Sequence, residues 1–203
     1  MALVDSYEGF IFDYGGVLVG HQTDGDHKKM ADIAGISKQA FSDGYWGERL
    51  EYDRGHLSAV DYWQKVAARD SKTLSEAVIE QLIDYDNQSW MNFDQVMWDW
   101  IAQLRSTGKR VAVLSNMPRD LGEALRTSTD KFQQFHHATL SFEVHAAKPE
   151  PAIYEHCLAG LDLPADKTLF FDDRIENVHG AEQMGIRSIQ FTSRDEVLLR
   201  VRE

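Results

Sequence analysis

Among 203 residues, 21 Lys and Arg face 33 Asp and Glu, a net charge of −12. That balance excludes general binding to nucleic acid and docking on anionic membranes, since both present phosphate to the protein; a small anionic substrate needs only a locally positive pocket. The composition, 43% hydrophobic and 27% charged, is that of a globular chain, longer than one typical domain and shorter than two.

Cys157 is the one cysteine, so no internal disulfide forms and a reducing, cytoplasmic setting is expected. The N-terminal stretch is interrupted early by Asp5 and Glu8, which argues against a signal peptide. No run of about 18 apolar residues would span a membrane. The expected state is a monomer or homodimer.

The first predicted element is Gly9-Phe10-Ile11-Phe12-Asp13, closed by Tyr14-Gly15-Gly16. It reads as a buried strand running into a glycine turn. Residues 21–91 are polar and helical in pattern. Ala31, Ile33 and Ala34, then Phe41, Tyr45 and Trp46, predict two helices broken near Gly35-Ile36-Ser37. Residues 61–67 follow a capping Ser58, and Leu74, Val78, Leu82 and Tyr85 recur at helical spacing after Thr73. Four helices are expected here.

Residues 94–106 carry a helical stripe of Val96, Met97, Trp100, Ile101 and Leu104 that stops at Gly108. Val111-Ala112-Val113-Leu114 is a continuous apolar run ending at Ser115-Asn116, as in a buried parallel strand. A helix is predicted within 121–135, a weaker strand at 138–141, and a helix over 151–161. Thr168-Leu169-Phe170-Phe171 is a buried strand ending at Asp172-Asp173, followed by a helix over 177–184 and a last strand at 187–190. Strands alternating with helices give an α/β fold with a doubly wound, mostly parallel, Rossmann-like sheet. The helical block is an insertion. Residues 1–20 plus 92–203 form the core domain and 21–91 a helical cap domain.

Three strands end in polar residues: Asp13, Ser115-Asn116 and Asp172-Asp173. Open α/β sheets bind ligands beyond the carboxyl ends of their strands, so these residues should converge on one pocket. Lys148, just before a predicted helix, can reach the same place.

These residues sit in FIFDYGGVL, VLSN, AAKPEPAIY and FFDDRIENVHGAEQMG. Any one is weak; the four together, in this order and with a helical insert after the first, resemble the haloacid dehalogenase (HAD)-like hydrolases over nearly the whole chain. The insert is similar to the helical cap of the phosphoglycolate phosphatase-like and dehalogenase-like branches. Most members of that superfamily are magnesium-dependent phosphatases. The resemblance therefore implies a hydrolase acting on a small phosphorylated metabolite, with Asp13 as nucleophile forming an aspartyl-phosphate. Asp13, Asp173 and the Gly15 carbonyl would hold Mg2+, with Asp172 either a ligand or the group that orients metal-bound water. Lys148 would screen Asp13 and the transferring phosphoryl group, while the Ser115 hydroxyl and Asn116 N–H would hold phosphate oxygens. The three aspartates supply −3, and Lys148 with Mg2+ returns +3. Without the metal, at least one carboxyl pKa should rise.

One position departs from the family pattern. Phosphatases of this kind usually carry a second aspartate two residues after the nucleophile, as general acid–base. Here Gly15 stands there, a loss worth about 10²–10⁴-fold. His21 or Asp24 could substitute, the substrate could have a good leaving group such as an acyl or anomeric phosphate, or the protein could mainly bind phosphate esters. A halide-removing hydrolase would also lack this aspartate, but would have no use for the Asp172-Asp173 pair. A receiver domain of two-component signalling is disfavoured by the helical insert.

Overall fold

The computed structural model describes residues 2–201. Strands β1 (Gly9–Phe12), β2 (Arg110–Ser115), β3 (His137–Leu140), β4 (Thr168–Asp172) and β5 (Arg187–Gln190) form one sheet in the order β3-β2-β1-β4-β5. Every pairing is parallel. β1 lies at the centre, with Phe12 opposite Val113 on one side and Phe171 on the other. The rows just beyond are therefore level, which brings Asp13 beside Leu114 and Asp172.

The three central strands are apolar through their middles because both faces are covered, whereas the edge strands carry His137 and Thr139 on β3 and Arg187 and Gln190 on β5. On one face Phe10, Phe12, Val113 and Phe171 pack with Trp98, Trp100, Ile101 and Leu104. Phe12 and Phe171 stack at 5.2 Å, and the Trp100 edge meets both at 5.4 Å. On the other face Ile11, Ala112, Leu114 and Phe170 pack with Ile153, Tyr154, Cys157 and Ala181. Each large side chain so buried contributes about 1.5–3 kcal/mol.

Ten helices are assigned among the described residues: α1 (Asp24–Ala34), α2 (Lys38–Asp53), α3 (Ala59–Ala68), α4 (Glu76–Ser89), α5 (Gln95–Ser106), α6 (Arg119–Ser128), α7 (Ser141–Val144), α8 (Pro151–Leu161), α9 (Ile175–Gln183) and α10 (Arg194–Arg200). Helices α1–α4 follow directly on β1 and its turn, and enclose an apolar cluster of their own that includes Phe41, Tyr45, Tyr62, Trp63 and Leu82. Polar starts delimit them. Thr23 and Asp26 make a capping box on α1, and Ser37 and Ser58 cap α2 and α3. This block meets the α/β layer at defined points. Tyr52 donates to Asp120 at 2.7 Å, Ser141 donates to the Asp53 carbonyl, and Arg54 pairs with Glu150.

Some details differ from the sequence expectations. Leu74 is buried but precedes α4, because Ser75 holds the extended N-cap position. Val96 is exposed although its neighbours Met97 and Trp98 are buried. Residues 121–135 hold α6 and a separate 3-10 turn at Lys131–Gln134 rather than one helix. The hydroxyls of Thr127 and Ser128 turn back onto the Ala124 carbonyl, and the chain leaves extended at Thr129. α10 has no counterpart among the expected elements: Val197 is its one fully buried residue, with Leu198 packed beside it, too little for a periodic pattern. No helix among the described residues is long and apolar enough to cross a membrane.

Candidate active site

The polar ends of β1, β2 and β4 and the segment before α8 meet at the floor of a cavity of about 440 Å³ between the sheet and the helical block. Asp13, Gly15, Ser115, Asn116, Lys148 and Asp173 all line it. Asp172 lies directly beneath and is fully buried.

The backbone fixes Asp13 first. Its N–H donates to the Phe171 carbonyl at 2.9 Å, extending the β1–β4 ladder by one residue, and its Oδ1 accepts from the Tyr14 N–H at 2.6 Å. The chain then turns sharply. Gly16 has φ of +74°, and a Cβ there would stand 2.7 Å from the His21 ring and 2.9 Å from Asp173 Cγ. Only glycine meets both demands.

Lys148 occupies the centre. Its Nζ lies 2.7 Å from Asp13 Oδ1, 2.7 Å from Asp172 Oδ2 and 2.9 Å from the Leu114 carbonyl. One ammonium thus engages the ends of three adjacent strands and uses all three of its donors. Burial alone would lower its pKa, but Asp13 and Asp172 outweigh that and raise it. The loop carrying Lys148 is clasped by Asn116. The Asn116 amide donates to the Lys148 carbonyl at 3.0 Å and accepts from the Lys148 N–H at 2.8 Å.

Asp172 spends both oxygens inward: on Lys148, on Asn177 Nδ2 at 3.0 and 3.1 Å, and on the Arg174 N–H at 2.9 Å. Asp173 faces the cavity and meets His21 Nε2 at 3.3 Å. One oxygen each of Asp13, Asp172 and Asp173 lies within 4.8 Å of the others, a spacing suited to a hard cation. Three carboxylates against one ammonium leave −2. The strain shows in Asp13, whose carboxyl is pushed far above the usual range by burial first and by Asp172 next, against the pull of Lys148. Asp173 is raised as well, again by burial and then Asp172.

Gly15 has a close neighbour. A Cβ built there would lie 3.2 Å from Cζ3 of Trp90, so the indole occupies the direction in which a side chain would project. Of the two suggested substitutes for the absent aspartate, His21 lines the cavity and Asp24 does not. Asp24 is 92% exposed and sits 3.7 Å from Lys38.

Seven further residues join the site that motif reading did not select: Trp46, Arg49, Leu50 and Asp53 from α2, Trp90 after α4, Met117 after β2 and Leu121 on α6. Arg49 had a legible signal, since it and Asp53 stand one turn apart within an otherwise apolar stripe. It is buried, with Nε on Asp53 at 2.8 Å and Nη1 on Asp86 at 3.1 Å and Tyr45 at 2.6 Å.

The family model of the haloacid dehalogenase-like hydrolases matches residues 7–185. Among curated proteins, a sesquiterpene phosphatase of Aspergillus oryzae is 25% identical over 190 residues, covering 92% of this chain and 91% of its own. A drimenol cyclase of Aspergillus calidoustus is 26% identical over 152 residues, 75% of this chain but 28% of that protein, so the chain corresponds to only about a quarter of this relative. Among solved structures, a HAD-family enzyme of Bacteroides thetaiotaomicron in complex with magnesium and inorganic phosphate superposes with a TM-score of 0.77 at 20% identity. That match covers 94% of this chain and 98% of the other.

Proposed function

The chain belongs to the haloacid dehalogenase-like hydrolases, and from that premise we propose that it is a magnesium-dependent phosphatase of a small phosphorylated metabolite, working through an aspartyl-phosphate on Asp13. The observation that carries this reading is Asp13 at the end of the central strand, 2.7 Å from Lys148 and clustered with Asp172 and Asp173 at the floor of the cavity. The phosphatase relative and the magnesium- and phosphate-bound neighbour support it.

The donor set fits the metal. Three carboxylates clustered around one ammonium, with burial raising the Asp13 carboxyl, suit a divalent oxygen-seeking cation. Asp13, Asp173 and the Gly15 carbonyl would hold Mg2+, and Asp172, its oxygens already engaged, would orient the shell. When bound, the metal neutralises the cluster and draws charge from the phosphoryl oxygens.

The chain's own groups do the rest. Asp13 Oδ attacks phosphorus in line with the leaving oxygen, held by its backbone bond to Phe171. Lys148 is already in place beside that carboxylate, so its charge stabilises the transfer without rearrangement. The Ser115 hydroxyl and the Asn116 N–H, at the end of β2, bind phosphoryl oxygens. Residues 21–91 act as the cap domain over a core of 1–20 plus 92–203, excluding water from the reacting centre.

The test is hydrolysis of p-nitrophenyl phosphate and acetyl phosphate, with and without Mg2+, beside Asp13→Asn. Metal-dependent turnover by the wild type alone is expected. A wild type no faster than Asp13→Asn on every phosphate refutes the phosphatase reading, and chloride release from 2-chloropropionate would replace it with dehalogenation.

A further inference from the structure

Building on the phosphatase reading, we infer that the substrate carries its phosphate on an apolar leaving group of low basicity: an aryl or acyl phosphate, or the terminal phosphate of an organic diphosphate.

The apolar part follows from the cavity wall. Trp46 and Leu50 lie one turn apart on α2 and are 52% and 45% exposed. They are the large exposed apolar residues of that helix, and both line the cavity facing Asp13. Trp90, Met117 and Leu121 line it with them. The other charged groups of this lining have partners within the protein: His21 lies 3.3 Å from Asp173, Arg174 pairs with Glu176, and Asp53 is held by Arg49. Arg49 spends Nε and Nη1 on Asp53, Asp86 and Tyr45, and Asn177 is bound to Asp172. A polyol against this wall would recover fewer hydrogen bonds than it makes in water, whereas a hydrocarbon or arene would bury its surface against Trp46, Leu50 and Trp90, with Met117 and Leu121 beside them.

The low basicity follows from a separate observation. No carboxyl stands at residue 15, and the Trp90 indole crowds the direction one would take, 3.2 Å from a Cβ built there. On that side a leaving oxygen meets an indole, and the one imidazole lining the cavity, His21, is turned 3.3 Å from Asp173 rather than standing in the place of the family's acid. A sugar or alkyl alkoxide, strongly basic, would be handicapped by the full worth of a general acid. A phenolate, a carboxylate or an organic monophosphate leaves without it. Asp13 attacks the phosphorus and the P–O bond to the leaving group breaks, its electron pair staying on the departing oxygen. Water then adds to the aspartyl-phosphate, its oxygen ending on inorganic phosphate and its proton passing to solvent, and the Asp13 carboxylate is restored.

The experiment uses the full chain with Mg2+. Para-n-alkylphenyl phosphates from methyl to hexyl keep the phenol's basicity constant while lengthening the tail. The expected kcat/KM rises about fourfold per methylene until the cavity is filled, and Leu50→Asn and Trp46→Ala each flatten that slope. Across ring-substituted phenyl phosphates kcat/KM falls steeply as the phenol becomes more basic, and n-butyl and sugar phosphates lie at least about 100-fold lower. n-Octyl diphosphate, compared with n-octyl phosphate, separates the anhydride source from the aryl one. A flat chain-length series, a slope unmoved by both variants, or a sugar phosphate hydrolysed as fast as the hexylphenyl compound overturns this inference and leaves the phosphatase reading intact. No turnover of any phosphate, acetyl phosphate included, overturns both.

Discussion

An aspartate introduced at Gly15 would restore the carboxyl that family phosphatases carry two residues after the nucleophile. The backbone raises no obstacle, since Gly15 is not among the positive-φ residues. The obstacle is Trp90. The new Cβ would stand 3.2, 3.7 and 3.9 Å from its Cζ3, Cη2 and Cε3, and the carboxyl beyond that Cβ needs further room. Overpacking of this kind costs about 1–3 kcal/mol, or about 2–4 °C in Tm for each kcal/mol in a chain of this size. Gly15→Asp alone should therefore lose stability and gain little on n-butyl phosphate. Trp90→Ala alone should gain nothing on it, because it supplies no proton. Gly15→Asp combined with Trp90→Ala should hydrolyse n-butyl phosphate faster by about 10²-fold, the lower end of what a placed general acid contributes. It should change p-nitrophenyl phosphate hydrolysis far less, as that leaving group needs little protonation. The assay is kcat/KM for both substrates across the four proteins of this cycle, with Tm measured on each. A folded Gly15→Asp that matches the double variant on n-butyl phosphate would refute this expectation by showing that the indole is no barrier to a carboxyl there.

Replacing Lys148 by Met leaves Asp13 and Asp172 buried without their cation, so the metal-free protein should lose about 3–5 kcal/mol, read as a Tm fall on the order of 10 °C. Because burial holds the folded pKa of Asp13 above its unfolded value of 3.8, at about 8, the folded apo protein keeps a proton that the unfolded chain releases. Wild-type stability in chelator should then decline from about pH 4 to about pH 8, and Asp13→Asn should be progressively more stable than wild type over that window. Calorimetry finding no widening gap would contradict the assignment. Arg49→Met strands Asp53, whose carboxyl burial has pushed up to about 6 despite Arg49, together with Asp86; a loss of about 3–5 kcal/mol by urea titration is expected.

The strands were readable because a parallel sheet covered on both faces needs continuous apolar runs, and Val111 to Leu114 and Thr168 to Phe171 supply them. Their polar last residues placed the pocket by topology before any contact was known. The helical block was readable because its apolar residues recur at helical spacing, as Leu74, Val78, Leu82 and Tyr85 do, and because Ser58 stands where a helix can start. What sequence could not show was contact between distant positions. Nothing in the string ties Trp90 to Gly15, or the Asn116 amide to the backbone of Lys148. Trp46 was legible only as part of a helical pattern with Phe41 and Tyr45, since periodicity says which face is apolar but not what that face is turned toward.

The three-way grip of Lys148 has an implication for which side chains this position tolerates. Its acceptors, Asp13, Asp172 and the Leu114 carbonyl, come from three strands and surround one nitrogen as a tripod. An ammonium matches a tripod; a guanidinium is a flat fork whose donors diverge in one plane. Arginine would keep the positive charge and still lose the arrangement, pushing two strand ends apart to seat its larger head. The requirement at this position is thus for a shape as much as for a sign. A charge-conserving exchange there should be among the least tolerated in the chain.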